Sequence, residues 1–193
     1  MKFLALKELA VEANVNWWRD LQSGELLQRN VAELIALQHS ELDELWKGFR
    51  RDPMMPDEHI PEFQNALVEV ADTQVRIADT VGGLVEYMGY PPQFVAQVSD
   101  WADTQYVVAE GTPLCELLLD AHDQLSDALD GFRKDNVAKM AVGFGSCFSI
   151  CNAIGECFHE QDLTNVILAK MKFNEQRADH KIDNRKKDGG KKI

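Results

Sequence analysis

No two cysteines of the chain are spaced as C-x-x-C, and no Cys/His cluster has finger-type spacing, which argues against a structural zinc. The four cysteines present are Cys115, Cys147, Cys151 and Cys157, and the i, i+4 pair Cys147 and Cys151 lies among small and apolar residues, as buried thiols do. Long apolar runs are also missing. None approaches the roughly 18 residues of a membrane span, and residues 1–13 carry Lys7, Glu8 and Glu12 where a secretory leader would need an apolar segment. The chain therefore reads as cytoplasmic, with no membrane partner. Positive charge is scarce: 20 Lys and Arg stand against 32 Asp and Glu, a net charge of -12. Phosphate-backbone attraction dominates polymer binding, so a nucleic-acid polymer is not the expected partner, whereas a small polyphosphate arriving with a metal ion remains compatible. Strand signals are lacking as well. Val107-Val108 and residues 75–77 are short and embedded in helical periodicity.

What remains is helix. A chain of 193 residues, 45% hydrophobic and 27% charged, is expected to form one all-α domain over residues 1–180 with a substantial core, followed by a tail over 181–193. Apolar spacing predicts a first helix over 2–13, then a break over 14–24 that contains Trp17 and Trp18. These adjacent tryptophans either stack a nucleobase or anchor the first helix to the core, and anchoring is the favoured reading. Asn30 can cap a second helix running to residue 50. Residues 52–61 hold Pro53, Pro56 and Pro61 and read as a loop suited to a lid, with Pro61 in the first turn of a third helix that ends near Gly89. Further helices are expected over 92–110, 114–134, 137–160 and 162–177.

The informative side chains are Glu41, Glu44, Glu69 and Asp72. Glu41 and Glu44 are three residues apart on the second helix, and Glu69 and Asp72 repeat that spacing on the third. There Leu67, Val68, Val70, Ala71, Val75 and Ile77 leave little room for a solvated face, so the acids are expected to look inward. Four carboxylates facing one another across a hairpin repel strongly unless they take up protons or share a cation. Oxygen-only donors suit Mg2+ or Mn2+. Arg76, four residues from Asp72 and three from Asp79, is placed to neutralise and orient carboxylates. The ordinary alternative for any single i, i+3 acidic pair is a solvated helix face.

The second half echoes the first. His39, Leu42, Gly48, Phe49 and Arg50 recur 83 positions later as His122, Leu125, Gly131, Phe132 and Arg133, which suggests a bundle of two repeated hairpins, 28–89 and 114–160. At the same offset Glu41 and Glu44 become Gln124 and Asp127, while Glu69 and Asp72 become Asn152 and Gly155. The second hairpin thus lacks the metal-binding acids and is expected to pack on the first as a stand-in for a partner subunit.

Residues 39–50 followed by 67–79, with E-x-x-E and then E-x-x-D, resemble the MazG-like family of all-α nucleoside triphosphate pyrophosphohydrolases. Residues 170–177 are similar to its K-x-x-x-N-x-x-R element, and the tail resembles longer phage and bacterial members. The resemblance covers most of the chain from about residue 14, though 91–111 carries none of its motifs. It implies Mg2+-dependent hydrolysis of an NTP or dNTP to the monophosphate and pyrophosphate. Glu41, Glu44, Glu69 and Asp72 would then hold the metal, with Glu41 as proton acceptor. Lys170, Asn174 and Arg177, on one helical face, would bind the phosphate end. His39, Trp46, Lys47 and Arg50 flank the acids and are candidate contacts to base, sugar or phosphate. A homo-oligomer, with a dimer favoured, and a host cytoplasm for a phage-encoded chain also follow. The tail, with six Lys or Arg against two Asp, is either a solvating segment or a cover for the triphosphate.

Three other readings compete. One is a deoxynucleotide hydrolase of the dUTPase or dCTPase type. Another is a di-metal oxidase bundle, which needs two E-x-x-H pairs where the sequence offers only Glu156 with His159. The last is a non-catalytic helical nucleotide-binding protein.

Overall fold

The computed structural model describes residues 1–158 and 161–177; the basic tail and His159 lie outside them. The described residues form an all-α bundle of seven helices: α1 (Phe3–Asn14), α2 (Val31–Arg51), α3 (Asn65–Met88), α4 (Gln93–Ala102), α5 (Leu114–Arg133), α6 (Val137–Glu156) and α7 (Leu163–Gln176). Among the described residues there is no strand, only the isolated bridges Arg19 to Leu26 and Pro56 to Gln64.

α3 is the axis of the molecule. It packs against α1, α2, α4, α6 and α7, and residues 66–68, 70–75 and 77–78 are buried, so nearly every face of its first three turns is covered. At roughly 1.5–3 kcal/mol for each large apolar side chain removed from water, this one helix organises much of the core. It stops where Gly89 adopts a left-handed φ of 76°, with its backbone N–H returning to the Leu84 carbonyl. Gly83 serves a different need: a Cβ there would lie 2.0 Å from the indole of Trp18, so only glycine lets that ring seat against the helix.

α2 begins at Asn30, whose side chain accepts from the Ala32 N–H as expected of a cap. Its apolar positions Leu34, Ile35, Leu42 and Leu45 are buried, and it lies between α3 and α5. α5 and α6 form the second close hairpin, and α4 packs on α6.

Several boundaries differ from expectation. α4 ends at Ala102, and 103–113 continue as irregular chain, even though Trp101 and Val108 prolong the apolar spacing. Asp103 explains the stop: its carboxylate accepts from the Phe3 N–H and the Ser99 hydroxyl, which ties this end of the helix to α1. Pro61 does not open α3. The chain first winds around the buried carboxylate of Asp57, and α3 starts at Asn65. α6 ends at Glu156, short of residue 160.

The constant offset of 83 carries α2 onto α5 but not α3 onto α6. The first connection spans 52–64 and the second only 134–136, so Asn152 and Gly155 are not the positional equivalents of Glu69 and Asp72. One helix also exceeds the expected apolar length. α6 is 20 residues long with a mean hydropathy of 1.4 over its best window, yet 67% of that window is buried inside the bundle, as in a core helix.

Candidate metal centre

The α2–α3 hairpin brings three of the four predicted acids together. One carboxylate oxygen from each of Glu41, Glu69 and Asp72 lies within 4.8 Å of the others, Glu41 and Asp72 being buried and Glu69 half-buried. Glu44 departs from this. Its side chain is exposed at the rim of the group, although Glu69 and Asp72, with the same spacing, both converge. It still adds to the negative field on Glu41 and Glu69.

Two cations sit among the acids. Arg76 Nε lies 2.6 Å from Glu41 Oε1, so the arginine's ion pair is with an acid on the facing helix. Lys170 Nζ, buried on α7, lies 3.3 Å from Asp72 Oδ2. Burial alone would lower the Lys170 pKa, but Asp72, Glu69 and Asp57 outweigh it and hold the ammonium firmly charged. The acids respond differently. Burial pushes Glu41 up to about 7, with Arg76 opposing and Asp72, Glu44 and Glu69 adding to the rise. Glu69 is likewise raised to about 7 by burial, with Lys170 opposing.

Asp57, which no spacing rule singled out, completes the group from the loop over 52–64. Its Oδ1 accepts from the His59 and Ile60 N–H groups at 2.9 and 2.8 Å, and its Oδ2 accepts from Asn65 Nδ2 at 2.9 Å. Burial raises its pKa, but these bonds prevail and keep it ionised below the usual carboxylate range. The loop is also held to α7 by His59, which stacks on Phe173 with ring centroids 4.9 Å apart.

A cleft adjoins the acids. Asp72, Arg76 and Asp79 form one side, and Trp17, Arg29, Leu37 and Asn174 line the rest. Both tryptophans line the cleft. Trp18 is buried, donates its Nε1–H to Asp79 Oδ1 at 3.1 Å and anchors the N-terminal segment, and half-buried Trp17 has its carbonyl held by Arg29 Nη1 at 3.0 Å. Burial pushes Asp79 up to about 7 against the Trp18 bond and the nearby Arg76 and Arg29.

The other predicted contacts divide in two. Lys170 is in the centre, and Asn174 lines the cleft with its Oδ1 buried and without a hydrogen-bond partner. Arg177, at the end of α7, lies over the Phe173 ring at 5.8 Å. His39, Trp46, Lys47 and Arg50 do not line the cleft. His39 faces α5, with its Nδ1 2.7 Å from that of His122; Trp46 stacks on Phe49 and lies under Arg50, and Lys47 is exposed. These four lie on turns of α2 whose other neighbours are α5 and solvent. Arg29 and Asp57 are the residues that sequence reasoning passed over, whereas Asp79 was already in register with Asp72 and Arg76.

The donor set suits a hard divalent cation. All three converging atoms are oxygens, and Glu69 Oε2 is buried without a hydrogen-bond partner, an acceptor that a cation would satisfy. Compared with known proteins, the chain matches no family model, no curated protein and no solved structure.

Proposed function

We propose that the protein hydrolyses a nucleoside or deoxynucleoside triphosphate to the monophosphate and pyrophosphate, using Mg2+ or Mn2+ held by Glu41, Glu69 and Asp72, with Glu44 at the rim. The observation that carries this reading is the meeting of the three carboxylates within 4.8 Å beside a cleft with an aromatic wall. The ion, when bound, would supply charge neutralisation at the phosphate oxygens and a more acidic water.

The chain's own groups provide the rest. Trp17 offers a ring for a base to stack on, and Asn174 offers a buried carbonyl oxygen to its N–H edge. Lys170 puts a charged ammonium at the phosphate end, and Arg177 extends the same α7 face. Glu41, with a pKa near 7 and its orientation fixed by Arg76, is suited to accept the proton of the attacking water.

The two-hairpin reading belongs to this proposal. α5 spans nearly the positions of α2 at the 83-residue offset, and His39 and His122, that distance apart in sequence, meet edge to edge, Nδ1 to Nδ1 at 2.7 Å, with planes 7° apart. Equivalent residues meeting each other are what a two-fold interface produces. The α5–α6 hairpin then occupies the place of a partner subunit, and any homodimer must use another face.

A second reading, a non-catalytic nucleotide-binding bundle, is favoured by one feature: Arg76 and Lys170 already compensate Glu41 and Asp72. A panel of the eight common NTPs and dNTPs together with dUTP, assayed with Mg2+ for pyrophosphate, separates the two and also isolates a dUTPase or dCTPase type. Release from one or more nucleotides, lost in Asp72→Asn, is the expected result. Tight nucleotide binding with no release from any of them selects the second reading.

A further inference from the structure

The charges around Asp72 are not evenly arranged. Its carboxylate converges with Glu41 and Glu69. It also meets Lys170 Nζ through Oδ2 at 3.3 Å, and that ammonium feels Glu69 and Asp57 as well. Asp72 therefore serves two cation positions, as a shared carboxylate does in a two-metal phosphoryl-transfer site.

Lys170 is built into the second position. The residue is only 7% exposed, on the α7 face whose neighbours Val166 and Ile167 are in the core, so its stem is packed and its head has little route to water. The acids on that side are also committed. Both oxygens of Asp57 accept hydrogen bonds from the loop and Asn65, which leaves them poorly free to ligate an ion while their charge still holds the ammonium. Glu69 Oε2, without a hydrogen-bond partner, is the acceptor still open to an ion shared with Glu41.

We infer that the nucleotide-free protein binds a single divalent ion, between Glu41, Glu69 and Asp72, and that the Lys170 ammonium permanently fills the position of a second. This rests on the metal centre proposed above and adds its stoichiometry and the identity of the second charge. A fixed ammonium beside Asp72 gives the phosphate end of a substrate a positive contact at any ion concentration. An exchangeable second ion would make that contact vary with metal supply.

The test uses Mn2+ alone on the full chain, by titration calorimetry and electron paramagnetic resonance. The wild type is expected to bind one Mn2+ per chain with an uncoupled signal. Lys170→Ala, checked for retained helicity by circular dichroism, is expected to bind two, close enough (about 3.5–4 Å) for the spins to couple. Two coupled ions in the wild type overturn the inference without any variant, and so does a count of one in folded Lys170→Ala. No Mn2+ in either protein overturns the metal centre itself, a different failure that also removes the hydrolase reading.

Discussion

Arg76 on α3 crosses the hairpin to Glu41 on α2, Nε to Oε1 at 2.6 Å, and so binds the best candidate base of the site to the helix that carries the other two acids. Removing one partner of such a pair leaves the other as an uncompensated charge. Arg76 is partly exposed, which screens the loss, so Arg76→Gln is expected to cost about 1–3 kcal/mol, below the full cost of a broken buried pair. Denaturant melts in chelator measure it. Saturating Mn2+ should recover part of the loss, because the ion supplies the positive charge that the arginine had provided.

Glu69 separates a functional from a structural centre. Burial raises its pKa to about 7, so holding it ionised at pH 8 works against the metal-free fold. Glu69→Gln should therefore stabilise the metal-free protein at that pH by roughly 1–3 kcal/mol while reducing Mn2+ affinity and turnover by about 100-fold or more. If instead the variant melts lower in chelator, the glutamate is there to hold the bundle together.

Asp79 predicts a pH dependence. Its folded pKa, raised from 3.8 to about 7, exceeds the unfolded value, so between those limits the folded state binds more protons. Its contribution to stability is fully present below about pH 4 and declines as pH rises toward 7. Asp79→Asn keeps an acceptor for the Trp18 indole and removes the titration. Melting temperature plotted from pH 5 to 8 should fall less steeply in the variant than in the wild type; parallel curves would refute the assignment.

Trp17 tests the cleft. Both tryptophans line it and Trp18 also carries the anchoring bond, so Trp17→Ala should weaken nucleotide binding in a protein that still folds, as circular dichroism would check. Loss of one base–ring stack is worth about 1–3 kcal/mol. The expected pattern is a raised KM with kcat little altered. A matching fall in kcat at constant KM would place the ring in the chemistry instead.

Gly83 reports on the same wall from behind. A Cβ there meets the Trp18 indole at 2.0 Å, and Tyr87 lies against the same ring with centroids 5.6 Å apart. Gly83→Ala should cost roughly 1–3 kcal/mol by overpacking and shift Trp18 fluorescence. An unchanged emission spectrum and melt would show that the ring is free to give way.

Helix positions and the acidic pairs were legible in the chain because they depend on neighbours three and four residues away. Apolar spacing placed α2, α3 and α5 to within a few residues, Asn30 marked a start and Gly89 a stop, and inward acids followed from Leu67 to Ile77 being almost all apolar. Arg76 was recognised as a counterion, although its partner proved to be Glu41 on the other helix. That choice depends on how two helices are rotated against each other, which spacing within either one does not contain.

The residues themselves determined an all-α chain with carboxylates on adjacent helices, since local hydrogen bonding and the period of apolar side chains settle both. Tertiary packing alone decided that Glu44 stays at the rim, that Asp57 and Lys170 join the acids from a loop and a helix about 100 residues apart, and that Trp18 closes on Asp79. A buried charge takes its partner from whatever the folded chain brings within a few ångströms, and distance along the sequence has no part in that selection.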